Sequence, residues 1–361
     1  MRSSFLMVAV LSMATAAGTF FATTRADACA GLIGSNGAVN LGRTTTLAAY
    51  HNGEEHYVTS FEFQGTGGGE FGTLIPLPGV PTNVEKGGAW TLQRLVKETS
   101  PVLAKSFAFE DGIALAAGAP AEVLIERRID ALDITVLKGG GPAVGDWAQA
   151  HGFRLSPDAP EVLDFYAERS PIFLAAVFDG DAAVERGQQA GDGTPVHLTI
   201  PTDNPWVPLR ILGLGKQDTD RVEADVFLLT DQRPRILPGV RPGLVKTYNQ
   251  QASDLLLSDL RSDQGMEWVP DSAWLTKISL DSKVSDLRYD LAVDADGNER
   301  PSSVAAGIET PAEAAAAAVD NLEPSSHNGW PAIAWMCAIG AVIFAAGFAV
   351  AKFVPVTRMR Q

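Results

Sequence analysis

Between residues 39 and 76 apolar and polar side chains alternate with a period of two, the pattern of half-buried β-strands. Tyr50-His51 and Glu54-Glu55 flank Asn52-Gly53, a pair suited to the left-handed backbone of a two-residue hairpin turn. In that register Tyr50, Tyr57, Phe61 and Phe63 share a core face. His51, Glu54, His56, Ser60 and Glu62 share the other, which the alternation predicts to meet solvent. A further strand is predicted over Glu70 to Ile75, and Pro76, Pro78 and Pro81 stiffen the connection into a helix near Trp90 to Glu98. Residues 121–137 read as a long strand or a hairpin. Helices are predicted near Val144–His151 and Glu161–Glu168, then strands at Ile172–Phe178, Val196–Ile200, Leu209–Leu212 and Val222–Leu229. A helix near Tyr248–Leu260 precedes a strand pair, Trp274–Leu280 and Leu287–Val293. Strands that mostly follow one another, with helices in clusters, predict an α+β fold with largely antiparallel sheet.

The two ends break this pattern. Arg2, the apolar run from Phe5 to Ala17 and Ala26-Asp27-Ala28 have the layout of a secretory signal peptide, residues 1–28, leaving Cys29 first in the mature chain. The 21 residues from Pro331 to Ala351 would rise about 31 Å as a helix, which matches a hydrocarbon core. Trp330 and Trp335 stand at its outer end; Lys352, Arg358 and Arg360 follow it, as the positive-inside rule asks. The expected organisation is an extracytoplasmic domain over 29–295, a low-complexity stalk over 296–329, a transmembrane helix over 330–352 and a cytoplasmic tail over 353–361. Ala341, Ala345 and Ala349 recur at four-residue spacing, as do Gly347 and Ala351, an arrangement that permits close helix pairing in the membrane.

Composition narrows the function. The formal net charge is −15, and both ends carry an excess of cations, so the segment between them is more acidic still. Such a surface repels phosphate backbones, and nucleic acid is excluded as a partner. The two cysteines are Cys29 and Cys337, the second within the apolar span, so the exported domain has no internal disulfide framework; Cys29 is free, lipidated or paired with another chain.

Several stretches resemble a bacterial family, the domain of unknown function 2330. They run in order through Phe71-Gly72-Thr73-Leu74-Ile75-Pro76-Leu77-Pro78, Asp133-Ile134-Thr135-Val136-Leu137, Trp147 to Gly152-Phe153, Pro208-Leu209-Arg210-Ile211, Leu275-Thr276-Lys277-Ile278 and Asp290. The resemblance covers roughly Cys29 to Asp290. It implies an exported, often membrane-anchored bacterial protein, and it implies no reaction. Cys29-Ala30-Gly31 departs from the Cys-Gly-Gly start frequent in that family, and Thr73 stands where a Trp is frequent.

Motifs with chemistry are sparse. His51, Glu54 and His56 share one hairpin face, and two imidazoles with a carboxylate are a possible zinc set. Asp294-Ala295-Asp296-Gly297-Asn298 has the start of a calcium loop, but its Gly comes too early and Ala305 stands at the twelfth position. Lys138-Gly139-Gly140-Gly141 lacks the order of a phosphate loop and reads as a strand-to-helix turn, and Ile33-Gly34-Ser35-Asn36-Gly37 fails the nucleophile-elbow pattern. No cofactor motif occurs. Pro76–Pro81, with Trp90 and Trp206, is a candidate rigid surface feature or a core-edge crossover. The expectation is a membrane-anchored extracytoplasmic binding or structural module of the bacterial cell envelope, with an envelope protein or a glycan as partner. The competing expectation is an envelope-facing hydrolase built on carboxylates.

Overall fold

The computed structural model describes residues 31–34, 37–38, 44–62, 70–100, 122–188, 193–239, 241, 243–295 and 300–322. The expected signal peptide, Cys29, the apolar span 331–351 and the tail lie outside these residues. Among the described residues no helix is long and apolar enough to cross a membrane. The chain divides into two units, Met1–Pro311 and Ala312–Gln361. The first is mixed α+β with mostly antiparallel sheets; in the second the described residues belong to the helix Pro311–Leu322.

Two sheets face each other in the first unit. One runs, in spatial order, Leu244–Gln251, Trp274–Lys283, Arg221–Thr230, Thr44–His51, Glu54–Glu62, Gly193–Pro201 and Asn83–Lys86. All its pairings are antiparallel except that of Arg221–Thr230 with Thr44–His51. The other runs Gly37–Ala38, Gly31–Gly34, Glu70–Leu77, Ile172–Asp179, Leu132–Lys138 and Glu122–Ile129. Their inner faces share one apolar core that includes Tyr57, Leu198, Ile200 and Ile278 from the first and Ile75, Ile134, Leu174 and Phe178 from the second.

Helices cover both outer faces. Thr91–Thr99 and Asp254–Ser262 place Leu92, Leu95, Leu256, Leu257 and Leu260 on Leu47, Val58 and Phe227. Gly141–Ala150 and Ala159–Ala167 place Val144, Trp147, Leu163 and Tyr166 on Leu74, Leu137, Phe173 and Val177. A strand between two covered faces buries every side chain, which is why Ile172 to Phe178 is continuously apolar. The alternation of the first hairpin is corrected in two places: His56, beneath the Trp268 indole, and Ser60, beside Gly193, are both buried rather than solvent-facing.

Local chemistry explains the elements that the sequence made legible. Asn52 and Gly53 both adopt positive φ, 53° and 80°, as the two-residue turn between His51 and Glu54 requires. Ser253 caps its helix by accepting from the Leu256 amide, with Asp254 in the first turn and Arg261 in the last. Residues 121–137 resolve into the hairpin Glu122–Ile129 and Leu132–Lys138. Three expectations are corrected. Tyr248 to Gln251 belong to a strand, and the helix starts at Asp254; Leu209–Leu212 is not a strand, because Arg210–Gly213 is a 3-10 turn; and Leu291–Asp294 pairs with Trp206–Val207 and Arg235–Leu237 in a small third sheet rather than with Trp274–Lys283.

A buried carboxylate explains the 3-10 turn. Asp290 is fully buried; its Oδ1 accepts from the Tyr166 hydroxyl at 2.8 Å and the Leu209 and Arg210 amides at 2.7 and 3.0 Å. Its Oδ2 accepts from Arg169 Nη2 at 2.5 Å. Arg169, in turn, lies 4.1 Å over the Phe165 ring, near Tyr166 and Trp206, and donates from Nη1 to the Ala305 carbonyl. Ala305 and Ala306 are buried beside it, and the Asp290 amide donates to the Ala306 carbonyl. Ala305 and Ala306 are therefore packed on the body, beyond Ala295, the last residue of the expected domain. Replacing Asp290 with Ala leaves the Arg169 charge buried without its partner. Urea unfolding of the full chain is expected to show a loss of about 3–5 kcal/mol, and a loss under about 1 kcal/mol would contradict this role.

Candidate functional site

At the edge of the larger sheet, Lys86 ends its last strand, and the helix Thr91–Thr99 begins five residues later. The helix start is held from elsewhere in the chain: Asp263, just past the helix Asp254–Ser262, accepts from the Ala89 and Trp90 amides at 3.0 and 2.9 Å and from the Thr91 hydroxyl at 2.9 Å. Gly88 lies so close to this clamp that a Cβ there would stand 2.3 Å from Thr91 Oγ1 and 2.5 Å from Asp263 Oδ2. From the other sheet comes the turn between Ile129 and Leu132, where Asp130 takes φ 52°. Asp130 binds Lys86 Nζ at 2.5 Å and stands 3.9 Å from Arg186 Nη1, joining the rims of the two sheets.

These elements enclose a cleft of about 620 Å³, lined by Ser60, Lys86, Gln93, Asp130, Arg186 and Gln188 together with Gly88, Ala89, Leu92, Gly193 and Pro195. The walls are mainly polar and charged. Gln188 Nε2 donates to Thr194 Oγ1 at 3.3 Å, while its Oε1, buried, meets no donor among the described residues. Lys86 and Arg186 are half exposed, so the cleft presents cations on a chain of strongly acidic balance.

A second constellation lies on the helix-covered face. His56 Nδ1 and His197 Nε2 are 2.9 Å apart, and His197 Nδ1 is 3.1 Å from Glu85 Oε1. A carboxylate only accepts, so His197 donates from Nδ1 to Glu85 and its Nε2 accepts a hydrogen bond from His56 Nδ1–H, which leaves His56 Nε2 without a proton. The indole of Trp268 stacks on His56 with centroids 4.0 Å apart and planes 3° from parallel. Burial pushes both imidazoles down to about 4, helped at His56 by the neighbouring His197 and His51 and opposed by Glu85. Glu55, on the opposite face of the same strand, is 1 % exposed; burial raises its pKa to about 8, opposed by the Trp206 backbone amide.

The residues singled out in the sequence are dispersed. His51 pairs with Asp231 at 2.5 Å, Glu54 is half exposed at the hairpin tip, and His56 is engaged with His197. Among the described residues no three His, Cys, Asp or Glu side chains converge to hold a metal ion. Asp294 sits at a strand end 3.5 Å from Arg235 rather than in a loop, and residues 296–299 lie outside the described residues. Lys138 to Gly141 make the strand-to-helix turn, with the Gly139 amide donating to the Pro171 carbonyl. Trp206 is buried against Tyr166 and is no surface feature, whereas Trp90 is 39 % exposed. Sequence reasoning missed the cleft and the His–Glu chain because their members lie over 40 and over 100 residues apart (Lys86 with Asp130, Glu85 with His197).

A family model described as an uncharacterized protein conserved in bacteria, the domain of unknown function 2330, matches residues 23–238. No curated protein matches the chain. Among solved structures, a mutated baculovirus P35 after caspase cleavage aligns at 6 % identity and TM-score 0.35, over 71 % of this chain and 93 % of that one. P35 in complex with caspase-8 aligns at 8 % identity and TM-score 0.34, over 71 % and 91 %.

Two pH predictions follow from the buried groups. Glu55 holds its proton more tightly folded than unfolded, so stability falls as pH rises from about 4.5 to about 8. In Glu55→Gln that fall should largely vanish and the thermal midpoint at pH 8 should rise by several degrees; an unchanged pH slope in thermal melts would refute it. The histidines have the opposite sign. They are held neutral when folded, so stability is lost as pH drops from about 6.5 towards 4, by up to about 1.4 kcal/mol per pH unit for each proton taken up. His56→Gln/His197→Gln should flatten this acid limb in urea titrations at pH 6.5 and 4.5, and an equally steep limb would contradict the assignment.

Proposed function

We propose, for a chain that belongs to the bacterial family called domain of unknown function 2330, the role of a membrane-anchored extracytoplasmic binding module of the cell envelope. The observation that carries the binding role is the rim cleft, an open polar cavity of about 620 Å³ whose walls come from both sheets. The buried carboxylates and imidazoles of the interior serve packing: Asp290 and Asp263 are engaged by backbone and side-chain donors, and His56 and His197 by each other and by Glu85. A hydrolase working through carboxylates needs an acid of raised pKa in a cleft. Glu55 has the raised pKa but is sealed in the core, so the binding reading is preferred.

Anchoring rests on the sequence. The signal-like start, the apolar Pro331–Ala351 and the cations after it support export of the body and retention by a single span, C-terminus inside. The small residues Ala341, Ala345 and Ala349 favour pairing of two spans. The alanine-rich helix Pro311–Leu322, mostly exposed over residues 311–318, suits a spacer between a folded body and a membrane.

Protease added to intact cells or spheroplasts is expected to digest the body, and alkaline carbonate is expected to leave the chain in the membrane pellet. A protected body, or a chain released by carbonate, would overturn the reading.

A further inference from the structure

We propose that the rim cleft binds an acidic saccharide, a sugar unit carrying both hydroxyls and a carboxylate; this rests on the binding role above and names its ligand class. Charge comes first. The cleft holds two cations, Lys86 and Arg186, against one carboxylate, Asp130, on a chain of net charge −15. Lys86 is committed to Asp130 at 2.5 Å, but Arg186 stands at 3.9 Å, beyond hydrogen-bond length, and is half exposed. A guanidinium so placed can present its planar fork of donors to a ligand carboxylate.

The neutral groups set the rest of the ligand. Gln188 fixes its Nε2 on Thr194, which leaves the buried Oε1 as an acceptor without a donor among the described residues. An unpaired buried acceptor is costly, and a ligand hydroxyl would satisfy it once the Gln188 amide turns out into the cleft that its residue lines. A carboxylate alone, or a fully ionised phosphate, has no hydrogen to give. Gln93 and Ser60 add donors and acceptors to the same walls, and a sugar hydroxyl can serve either kind. A ligand of mainly apolar surface would strand all of these groups. The volume of about 620 Å³ lies in the usual range for small-ligand clefts and admits a mono- or disaccharide.

The test is isothermal titration of the full-length chain in detergent micelles with three probes: a glucuronic acid–N-acetylglucosamine disaccharide, the neutral disaccharide diacetylchitobiose, and triglutamate. Expected is saturable binding of the uronic disaccharide, at least about tenfold tighter than either other probe. Arg186→Gln should weaken it at least about tenfold and reduce the preference over chitobiose, with an unchanged thermal midpoint, because the side chain is half exposed. Gln188→Ala should weaken both saccharides. The proposal fails if the uronic disaccharide gives no heat at about 10 mM, if chitobiose or triglutamate binds as tightly, or if Arg186→Gln binds like the parent. Failure here with the body outside and the chain retained by carbonate would remove the saccharide and leave the anchored module standing.

Discussion

The structure depends on one fully buried carboxylate and the donors that fill it. Asp290 takes the Tyr166 hydroxyl from a helix, the Leu209 and Arg210 amides from the turn after Val207, and the Arg169 guanidinium from the end of the same helix as Tyr166. A buried charge survives only when its lone pairs are filled and a counter-charge is near. Here four donors converge, and the guanidinium is itself enclosed by three aromatic rings and the Ala305 carbonyl. The requirement therefore reaches three chain segments at once, and it draws residues 302–306 onto the body.

The helix-covered face of the larger sheet uses the same logic with different groups. Asp263 supplies from a distance the cap that Trp90 does not, and so ties the helix Thr91–Thr99 to the end of Asp254–Ser262. The Glu85–His197–His56 chain beneath Trp268 joins three neighbouring strands to the loop that follows that helix. These groups have their hydrogen bonds inside the fold. The proposed ligand cleft sits instead at the rim, where Asp130, Lys86 and Arg186 bridge the two sheets and Gln188 Oε1 meets no donor among the described residues. Architecture belongs to the interior, and the proposed binding to the rim.

How much of this could be read from the chain follows from the range of each interaction. The Asn52-Gly53 hairpin and the helix capped by Ser253 rest on neighbours within three residues, and turn and cap chemistry point to them directly, although the helix itself was read as starting too early. The buried state of His56 was not legible, because its alternation is that of a half-exposed strand and its cover, the Trp268 indole, arrives from more than 200 residues away. Leu209–Leu212 has the composition of a strand. Its first two amides are claimed by Asp290, some 80 residues on, and a turn forms instead. The apolar Ala305-Ala306 pair, set in low-complexity sequence, reads as tether until Arg169 and Asp290 are seen to hold its backbone. Family membership was legible because it lies in ordered local motifs, and the cleft was not, because it lies in none of them.

Hydrogen exchange on the full-length chain, read by mass spectrometry with single-amide resolution, tests the central claim most directly. If the Asp290 carboxylate organises the fold, the Leu209 and Arg210 amides exchange only through global unfolding, as slowly as the central strand Ile172–Asp179. Exchange of those two amides at the rate of the exposed Asn52-Gly53 turn, with that strand still protected, would contradict the account.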